Sequence, residues 1–179
     1  MGEVYRAPMR SRRADVVEGA AVERALTLGL CGLGGSVLDP APETVAEAVR
    51  RISGAGDDRL AARIRRFADA ADGSFVWTRD GDGLAWLGRL EGAWFYDASA
   101  AAARVDLTNV RPCHWLAAPI ADHRLPPGVR LTFARGGKNW QRIGAAGEYD
   151  ASLRLWEDGL ATGGAVGPTA GTEGLSRGV

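Results

Sequence analysis

Residues 75–97 have the sequence FVWTRDGDGLAWLGRLEGAWFYD, which holds three of the six tryptophans, two phenylalanines and a tyrosine. Apolar residues alternate with their neighbours along three short runs of this stretch, as they do in β-strands. The turn-forming sequences DGDG and Glu91-Gly92 separate the runs. The pattern therefore predicts a three-stranded meander, and this meander decides the fold class.

The middle run, residues 84–90, is mostly apolar on both of its faces. A strand that is covered on both sides belongs to a sheet that is curled into a barrel or packed against helices. We therefore expect Trp86 and Leu87 to be buried within a strongly bent sheet.

Helical periodicity predicts four helices before and after this stretch, at residues 15–28, 43–53, 57–70 and 147–159. Thr44 precedes Glu47 by three residues, which is the spacing of a capping box at the start of the second helix. Gly29 is expected to end the first helix.

Short apolar runs predict further strands at residues 3–7, 30–37, 108–120 and 139–143, with a break or bulge at Pro112, while residues 125–133 fit a helix or a strand. Together these elements predict one α+β domain at residues 1–161, a mixed, strongly bent β-barrel or sheet flanked by helices. Residues 162–179 are rich in glycine, threonine and alanine, with almost nothing to bury, and are predicted to be a flexible tail.

The composition limits the classes of partner. A chain of 179 residues with 46% apolar residues can fill one core. Its 22 basic residues balance 22 acidic ones, so the net charge is zero. A nucleic acid would therefore have to bind a local basic patch, such as the excess of basic residues between positions 104 and 142. Two cysteines are too few for a disulfide scaffold, and no run of 18 apolar residues is present, so we expect a cytoplasmic protein with no membrane partner.

The sequence lacks the familiar catalytic and cofactor motifs. GLCGLGGS has neither the Gly-Lys-Ser/Thr of a P-loop nor the glycine spacing of a dinucleotide fold. Cys113, His114 and His123 lack a fourth metal ligand, and a Cys113–His123 pair carries no hydrolase signature. Asp80 and Asp82 fit a tight turn better than a catalytic pair. No catalytic residue, metal or cofactor is therefore predicted.

Aromatic rings interleaved with arginines are the remaining signal. Rings that stack on bases, beside guanidinium groups that contact phosphate or base edges, are typical of proteins that bind unstacked nucleotides. Each ring taken singly is better explained as core, but we predict that the rings divide between core and pocket. The candidate ligand-binding residues are Trp77, Arg79, Arg89, Trp94, Tyr96, Arg111, Trp115, Arg135, Trp140 and Arg142.

The third run of the meander is the most specific part of this prediction. Trp94 and Tyr96 share one face of an alternating strand and Phe95 takes the other, so with Phe95 in the core the first two line a cleft. Arg89 and Arg111 are expected to reach the same cleft and hold an anionic ligand. Truncation of Trp94 or Arg111 is then expected to leave the fold intact.

The order of predicted elements resembles that of the PUA-like superfamily, which includes PUA, ASCH, EVE and SRA domains. The stretches that carry the resemblance are GSFVWTRD, WLGRLEGAWFY and NVRPCHW. The resemblance covers residues 4–143 and is greatest to the versions attached to bacterial restriction and defence proteins. It implies a pseudo-barrel that binds RNA or DNA, and in several members a pocket for a flipped or modified base. With no nuclease motif in the chain, it implies the sensor of a defence system, with an effector protein supplied in trans.

Three functions are compatible with these features. The first is a non-catalytic reader of a nucleic acid or a modified nucleotide, whose affinity falls steeply with salt. The second is a Tudor- or SH3-like module whose rings cage a cationic or peptide ligand, with much weaker salt dependence. The third is a small ASCH-type enzyme that turns over RNA or a nucleoside, with His114 and Arg111 as its acid–base and phosphate-binding pair.

Overall fold

A computed structural model of the protein describes residues 2–137 and 140–168. Within these residues eight strands form one curled, mixed sheet, and helices pack on both of its faces. The strands are β1 (Val4–Arg6), β2 (Leu30–Leu33), β3 (Phe75–Arg79), β4 (Ala85–Leu90), β5 (Phe95–Tyr96), β6 (Asn109–Leu116), β7 (Gln141–Arg142) and β8 (Ala165–Val166). The helices are α1 (Ala20–Leu28), α2 (Val45–Gly54), α3 (Asp58–Ala68), α4 (Ala100–Arg104), α5 (Pro127–Arg135) and α6 (Glu148–Thr162), with a 3₁₀ turn at Asp122–Arg124. None of these helices is long and apolar enough to cross a lipid bilayer.

The long strand β6 organises the sheet because it pairs with other strands along both of its edges. One edge binds β4 and β5, and the other binds β2 and β8. The main path through the sheet is β2-β6-β4-β3-β1-β7. Only the β1–β3 pair among these described ladders is parallel, so the mixed, bent sheet with flanking helices is confirmed.

The predicted three-stranded meander is wrong in its third strand. The β3–β4 hairpin forms, but the chain does not reverse at Glu91-Gly92. Instead β4 and β5 run in the same direction along one edge of β6, since Leu90 pairs with Cys113 and Phe95 pairs with Val110. Residues 91–94 thus face only residues 111 and 112, and they form a bulge.

The bulge also explains how a proline can stand inside β6. The carbonyl oxygen of Pro112 accepts a hydrogen bond from the backbone N–H of Glu91, at 3.0 Å, so both backbone groups of Pro112 face the bulged edge. A residue at a bulge does not need to donate to the ladder, so the missing N–H of proline costs nothing there. Strand β6 therefore continues through Pro112 without a break.

The predicted helices are present; α1, α2 and α3 are shorter than predicted and α6 is longer. Gly29 ends α1 at a φ of 66°, as expected, but α1 begins at Ala20 because residues 7–19 form a loop that closes on Gly19 at a φ of 84°. The Thr44 side chain accepts a hydrogen bond from the Glu47 N–H at the start of α2, as the capping-box spacing predicts. Residues 127–135 are helical, which decides between the two alternatives left by the sequence.

Two hydrophobic cores lie on opposite faces of the sheet. The first core packs α1, α2 and α3 against residues such as Val76, and the second packs α5 and α6 against Phe75 and Trp77. The burial of Leu87 on β4 is confirmed. Trp86 is only half-buried, because it packs at the margin of the first core and its Nε1 donates to the Asp80 carboxylate, at 2.8 Å.

The predicted flexible tail begins with ordered residues. Helix α6 continues to Thr162, and Ala165 and Val166 pair with Leu116 and Trp115 of β6. Backbone pairing to an open strand edge needs no apolar side chain, which is why hydropathy gave no signal for β8. The remainder of the predicted tail, residues 169–179, lies outside the described residues.

We predict that Leu87→Ala lowers the free energy of unfolding by about 2–5 kcal/mol, because it opens a cavity in the fully buried centre of the second core. Denaturant unfolding monitored by circular dichroism measures this loss. Leu84→Ala is the matched control, since Leu84 is 48% exposed just before the same strand and its truncation is expected to change stability by less than about 0.5 kcal/mol. Equal effects of the two substitutions would contradict the assignment of Leu87 to the core.

Candidate anion-binding cleft

Three of the candidate tryptophans are buried core residues. Trp77 is fully buried, with its Nε1 donating to Ser152 Oγ at 3.1 Å. Trp115 is 1% exposed and donates to the Leu30 carbonyl oxygen at 2.9 Å. Trp140 is buried and stacks on Tyr5, with a ring separation of 4.4 Å.

Trp94 and Tyr96, the rings expected to line the pocket, are half-buried beside the first core. Trp94 packs on that core together with Phe95. The Tyr96 hydroxyl oxygen accepts a hydrogen bond from the Leu38 N–H at 2.8 Å, which ties β5 to the loop before α2. Both rings therefore support neighbouring elements.

Arg111 is a structural residue rather than a surface contact for a ligand. Its side chain is 3% exposed and forms an ion pair with Asp72, at 2.6 Å. It also donates to the carbonyl oxygens of Phe67, at 3.1 Å, and Ala70, at 2.5 Å, and to that of Gly92 in the bulge, at 3.0 Å. A cation at the carbonyl end of a helix is favourably placed, so Arg111 joins the end of α3 to the sheet.

Arg89 and Arg111, expected to reach one cleft, lie on opposite faces of the sheet. The Arg89 guanidinium lies over the Phe75 ring of the second core, 5.9 Å from its centre, whereas Arg111 extends into the first core. The predicted ring-and-arginine pocket is therefore not assembled.

The remaining candidate arginines are at the surface. Arg79 pairs with Asp122, at 3.0 Å, and lies over the Phe133 ring, at 4.7 Å. Arg142 pairs with Glu3, at 2.8 Å, and Arg135 is exposed at the end of α5.

The groups considered for catalysis are also placed elsewhere. Cys113 is fully buried and His123 is exposed, while His114 pairs with Glu91 at 3.4 Å. Asp80 accepts hydrogen bonds from the Asp82 and Leu84 N–H groups, as a turn residue does. Within residues 2–137 and 140–168, no three acidic, histidine or cysteine side chains are grouped as a metal site requires.

A basic cleft of about 230 Å³ lies where the chain leaves β1 and β2. Its walls are the loop after β1, the Gly-rich loop after β2, the start of α3 and Asp106, two residues beyond the end of α4. Four arginines line it, Arg10, Arg12, Arg13 and Arg63, together with Pro8, Met9, Leu33, Gly34, Gly35, Ser36, Asp57, Leu60 and Asp106.

Asp106 holds the two loops of this basic cleft together. Its carboxylate accepts hydrogen bonds from the Gly35 N–H, at 2.9 Å, and from the Ser11 hydroxyl. A side chain at Gly34 would collide with the Asp106 carboxylate, so the loop after β2 can approach only because residue 34 is glycine.

Backbone strain is concentrated at the same place. Among the described residues, Met9 and Asp106 are the non-glycine residues with positive φ, at 47° and 57°, and both line the basic cleft. Such conformations persist where the surroundings impose them, and they cluster at binding sites.

The four arginines differ in how they are paired. Arg10 pairs with Glu18, at 3.2 Å, and Arg13 pairs with Asp15, both at the exposed surface where such pairs are weak. Within the described part of the chain, Arg12 and Arg63 form no ion pair. Burial lowers the pKa of Arg63, and the charge of Arg12 lowers it further. Asp57, which also lines the basic cleft, acts on this pKa in the opposite direction. The basic cleft therefore holds two neighbouring cations that form no ion pair with a carboxylate of the described residues.

Sequence reasoning missed these arginines because it looked for basic residues beside rings. The signal present was two dense clusters, MRSRR at residues 9–13 and RIRR at residues 63–66, each more basic than its surroundings. The clusters are far apart in the chain, so only the fold shows that they meet.

Comparison of the chain with protein-family models, curated proteins and solved structures found no match. The evidence for the site is therefore its geometry and charge, and the PUA-like resemblance stays a prediction.

We predict that Arg111→Ala destabilises the fold, because it leaves buried carbonyl oxygens at the end of α3 without a donor. Each such group costs about 1–3 kcal/mol. Thermal and denaturant unfolding measure the loss, and Arg111→Lys is expected to restore little of it, since an ammonium cannot span the same acceptors. Arg154→Ala is the control for removal of an exposed arginine. An Arg111→Ala variant as stable as Arg154→Ala would overturn the structural role.

We predict that neither cysteine reacts in the native protein. Burial raises the pKa of Cys31 to about 12, and burial also raises the pKa of Cys113. Because the thiolate is the reactive form, a thiol reagent at about pH 8 is expected to label native protein far more slowly than denatured protein. Rapid labelling of Cys113 in the folded state would restore it as a candidate nucleophile.

Proposed function

We propose that this protein is a non-catalytic nucleic-acid reader, and that the basic cleft receives one nucleotide through its phosphate. The observation that carries the proposal is that Arg12 and Arg63 line the same small cavity and form no ion pair with the described residues. Neighbouring cations repel each other, so an anion between them is stabilised by both. The guanidinium fork matches the geometry of a phosphate.

The surroundings of this pair suit the other parts of a nucleotide. Arg10 adds a further cation, since its exposed pair with Glu18 is weak, whereas Arg13 is held by Asp15 and by the Ala103 carbonyl oxygen. Leu33 and Leu60 supply buried apolar surface beside the charges, which suits the base or sugar of the same nucleotide.

The size of the basic cleft limits what it can hold. Pockets for drug-sized ligands and cofactors have volumes of roughly 300–1,000 Å³. A cavity of about 230 Å³ is smaller, so it suits one nucleotide and not a dinucleotide cofactor. A nucleotide in this cavity has to be unstacked from its neighbours, as in a single strand or after base flipping.

A PUA-like fold remains part of this proposal. The curled mixed sheet, with helices inserted between its strands, supports it. The basic cleft lies at the ends of β1 and β2 beside the start of α3, and arginines and aliphatic residues line it in place of the expected rings. Recognition of a modified base and an effector supplied in trans belong to the same proposal.

The two alternatives have weaker support. A cage for a cationic ligand needs exposed rings, whereas Trp77, Trp115 and Trp140 are buried and the cavity is itself cationic. The proposed enzyme needs His114 beside Arg111, but Arg111 is committed to the end of α3 and His114 to Glu91.

We predict that the double variant Arg12→Ala/Arg63→Ala binds single-stranded oligonucleotides at least about tenfold more weakly than the wild type, since each charge-assisted hydrogen bond is worth about 1.5–3 kcal/mol. Its salt dependence is expected to flatten by roughly one unit of slope for each lost phosphate contact. Fluorescence anisotropy with DNA and RNA at about 50 and 200 mM salt measures both effects.

The matched control is Arg130→Ala/Arg154→Ala. It removes the same net charge from exposed positions on α5 and α6, which cover the opposite face of the sheet. The control is expected to bind like the wild type. The proposal fails if no oligonucleotide binds at either salt concentration, or if both double variants lose affinity equally.

A further inference from the structure

Helix α3 carries a row of three arginines that begins at the basic cleft and extends past it. Arg59, Arg63 and Arg66 are spaced four and three residues apart, so they project from one face of the helix. Arg59 and Arg66 are exposed, and neither forms an ion pair within residues 2–137 and 140–168. Like charges along one helix face repel one another, and an anionic ligand relieves this repulsion.

These arginines line an open groove of about 500 Å³ between α3 and the edge strand β7. Trp140 and Gln141 form the opposite side of the groove. Asp58 also lines it, and its carboxylate accepts a hydrogen bond from the Ser53 hydroxyl. The groove is therefore predominantly basic.

Arg63 belongs to both the basic cleft and this groove. The like charges also interact, because after burial and Arg12, Arg66 contributes to the lowered pKa of Arg63. A continuous basic track thus runs from Arg12 through Arg63 to Arg59 and Arg66.

We infer that the ligand is a strand of several nucleotides, with one nucleotide in the basic cleft and the phosphates of its neighbours on Arg59 and Arg66. This inference rests on the proposed function and extends the binding site from the one nucleotide in the basic cleft to the neighbouring nucleotides of the same strand. Residues seven apart span about 10 Å of a helix axis. A nucleic-acid strand carries one phosphate per nucleotide, so Arg59 and Arg66 are far enough apart to contact different phosphates of the same strand.

The test compares ligands of different length on two variants. The ligands are the four nucleoside 5′-monophosphates and a single strand of about eight nucleotides; the variants are Arg59→Ala/Arg66→Ala and Arg12→Ala/Arg63→Ala. Alanine is favourable in helices, and Arg12 is an exposed loop residue, so both variants are expected to fold, which circular dichroism checks. Isothermal titration calorimetry measures binding, with Arg130→Ala/Arg154→Ala as the charge-matched control.

The wild type is expected to bind the strand more tightly than any monophosphate. Arg59→Ala/Arg66→Ala is expected to lose about tenfold or more in affinity for the strand while binding monophosphates like the wild type. Arg12→Ala/Arg63→Ala is expected to lose affinity for both ligands. A matching duplex is expected to bind more weakly than the strand, because its nucleotides are stacked.

The two proposals fail in different ways. If the wild type binds monophosphates and the strand equally tightly, or if Arg59→Ala/Arg66→Ala binds the strand unchanged, the extended track is refuted and the single-nucleotide site stands. If the wild type binds neither ligand, the reader function itself is refuted.

Discussion

The buried guanidinium of Arg111 is the contact on which the rest of the architecture depends. It comes from β6, which pairs with four other strands. It donates hydrogen bonds to carbonyl oxygens at the end of α3 and just beyond it, and to the Asp72 carboxylate. Its remaining donor reaches Gly92, so the same side chain also holds the bulge between β4 and β5. Only a planar group with several donors can serve these acceptors at once. Helix, sheet and bulge are thereby fixed relative to one another.

Arginines therefore have two different roles around α3. The C-terminal end of the helix is neutralised from inside by Arg111, while Arg59, Arg63 and Arg66 point outward along its surface. Asp57 fixes the other end, where its carboxylate accepts the Leu60 N–H at 2.9 Å. A helix held at both ends presents its charges at constant spacing, and a ligand that matches this spacing loses less entropy on binding. The rigidity of the fold thus supports the proposed function directly.

Local patterns in the sequence were sufficient for helices α1, α2, α3 and α6, for the β3–β4 hairpin and for the caps at Thr44 and Gly29, because these features depend on neighbours in the chain. They were insufficient wherever a distant partner decides the outcome. A turn and a bulge use the same residue types, so Glu91-Gly92 could be assigned only once β6 was known to run beside it. Alternation shows which rings share a face, but not whether that face is covered; helices cover both faces here. The basic cleft needed the meeting of two arginine clusters that the sequence keeps apart.

The pairing of β6 also determines the order in which the polypeptide can reach its native state. Its partners come from the first quarter of the chain at β2, from the middle at β4 and β5, and from the C-terminal part at β8. Such distant pairings are slow to form, whereas the adjacent helices α2 and α3 contact each other locally. During synthesis the helical pair can collapse early, but β2 waits with an open edge until β6 emerges. Strand β8 can join only after β6 and α6 have been synthesised, so a nascent chain stalled before β8 exposes the edge of β6 that β8 covers.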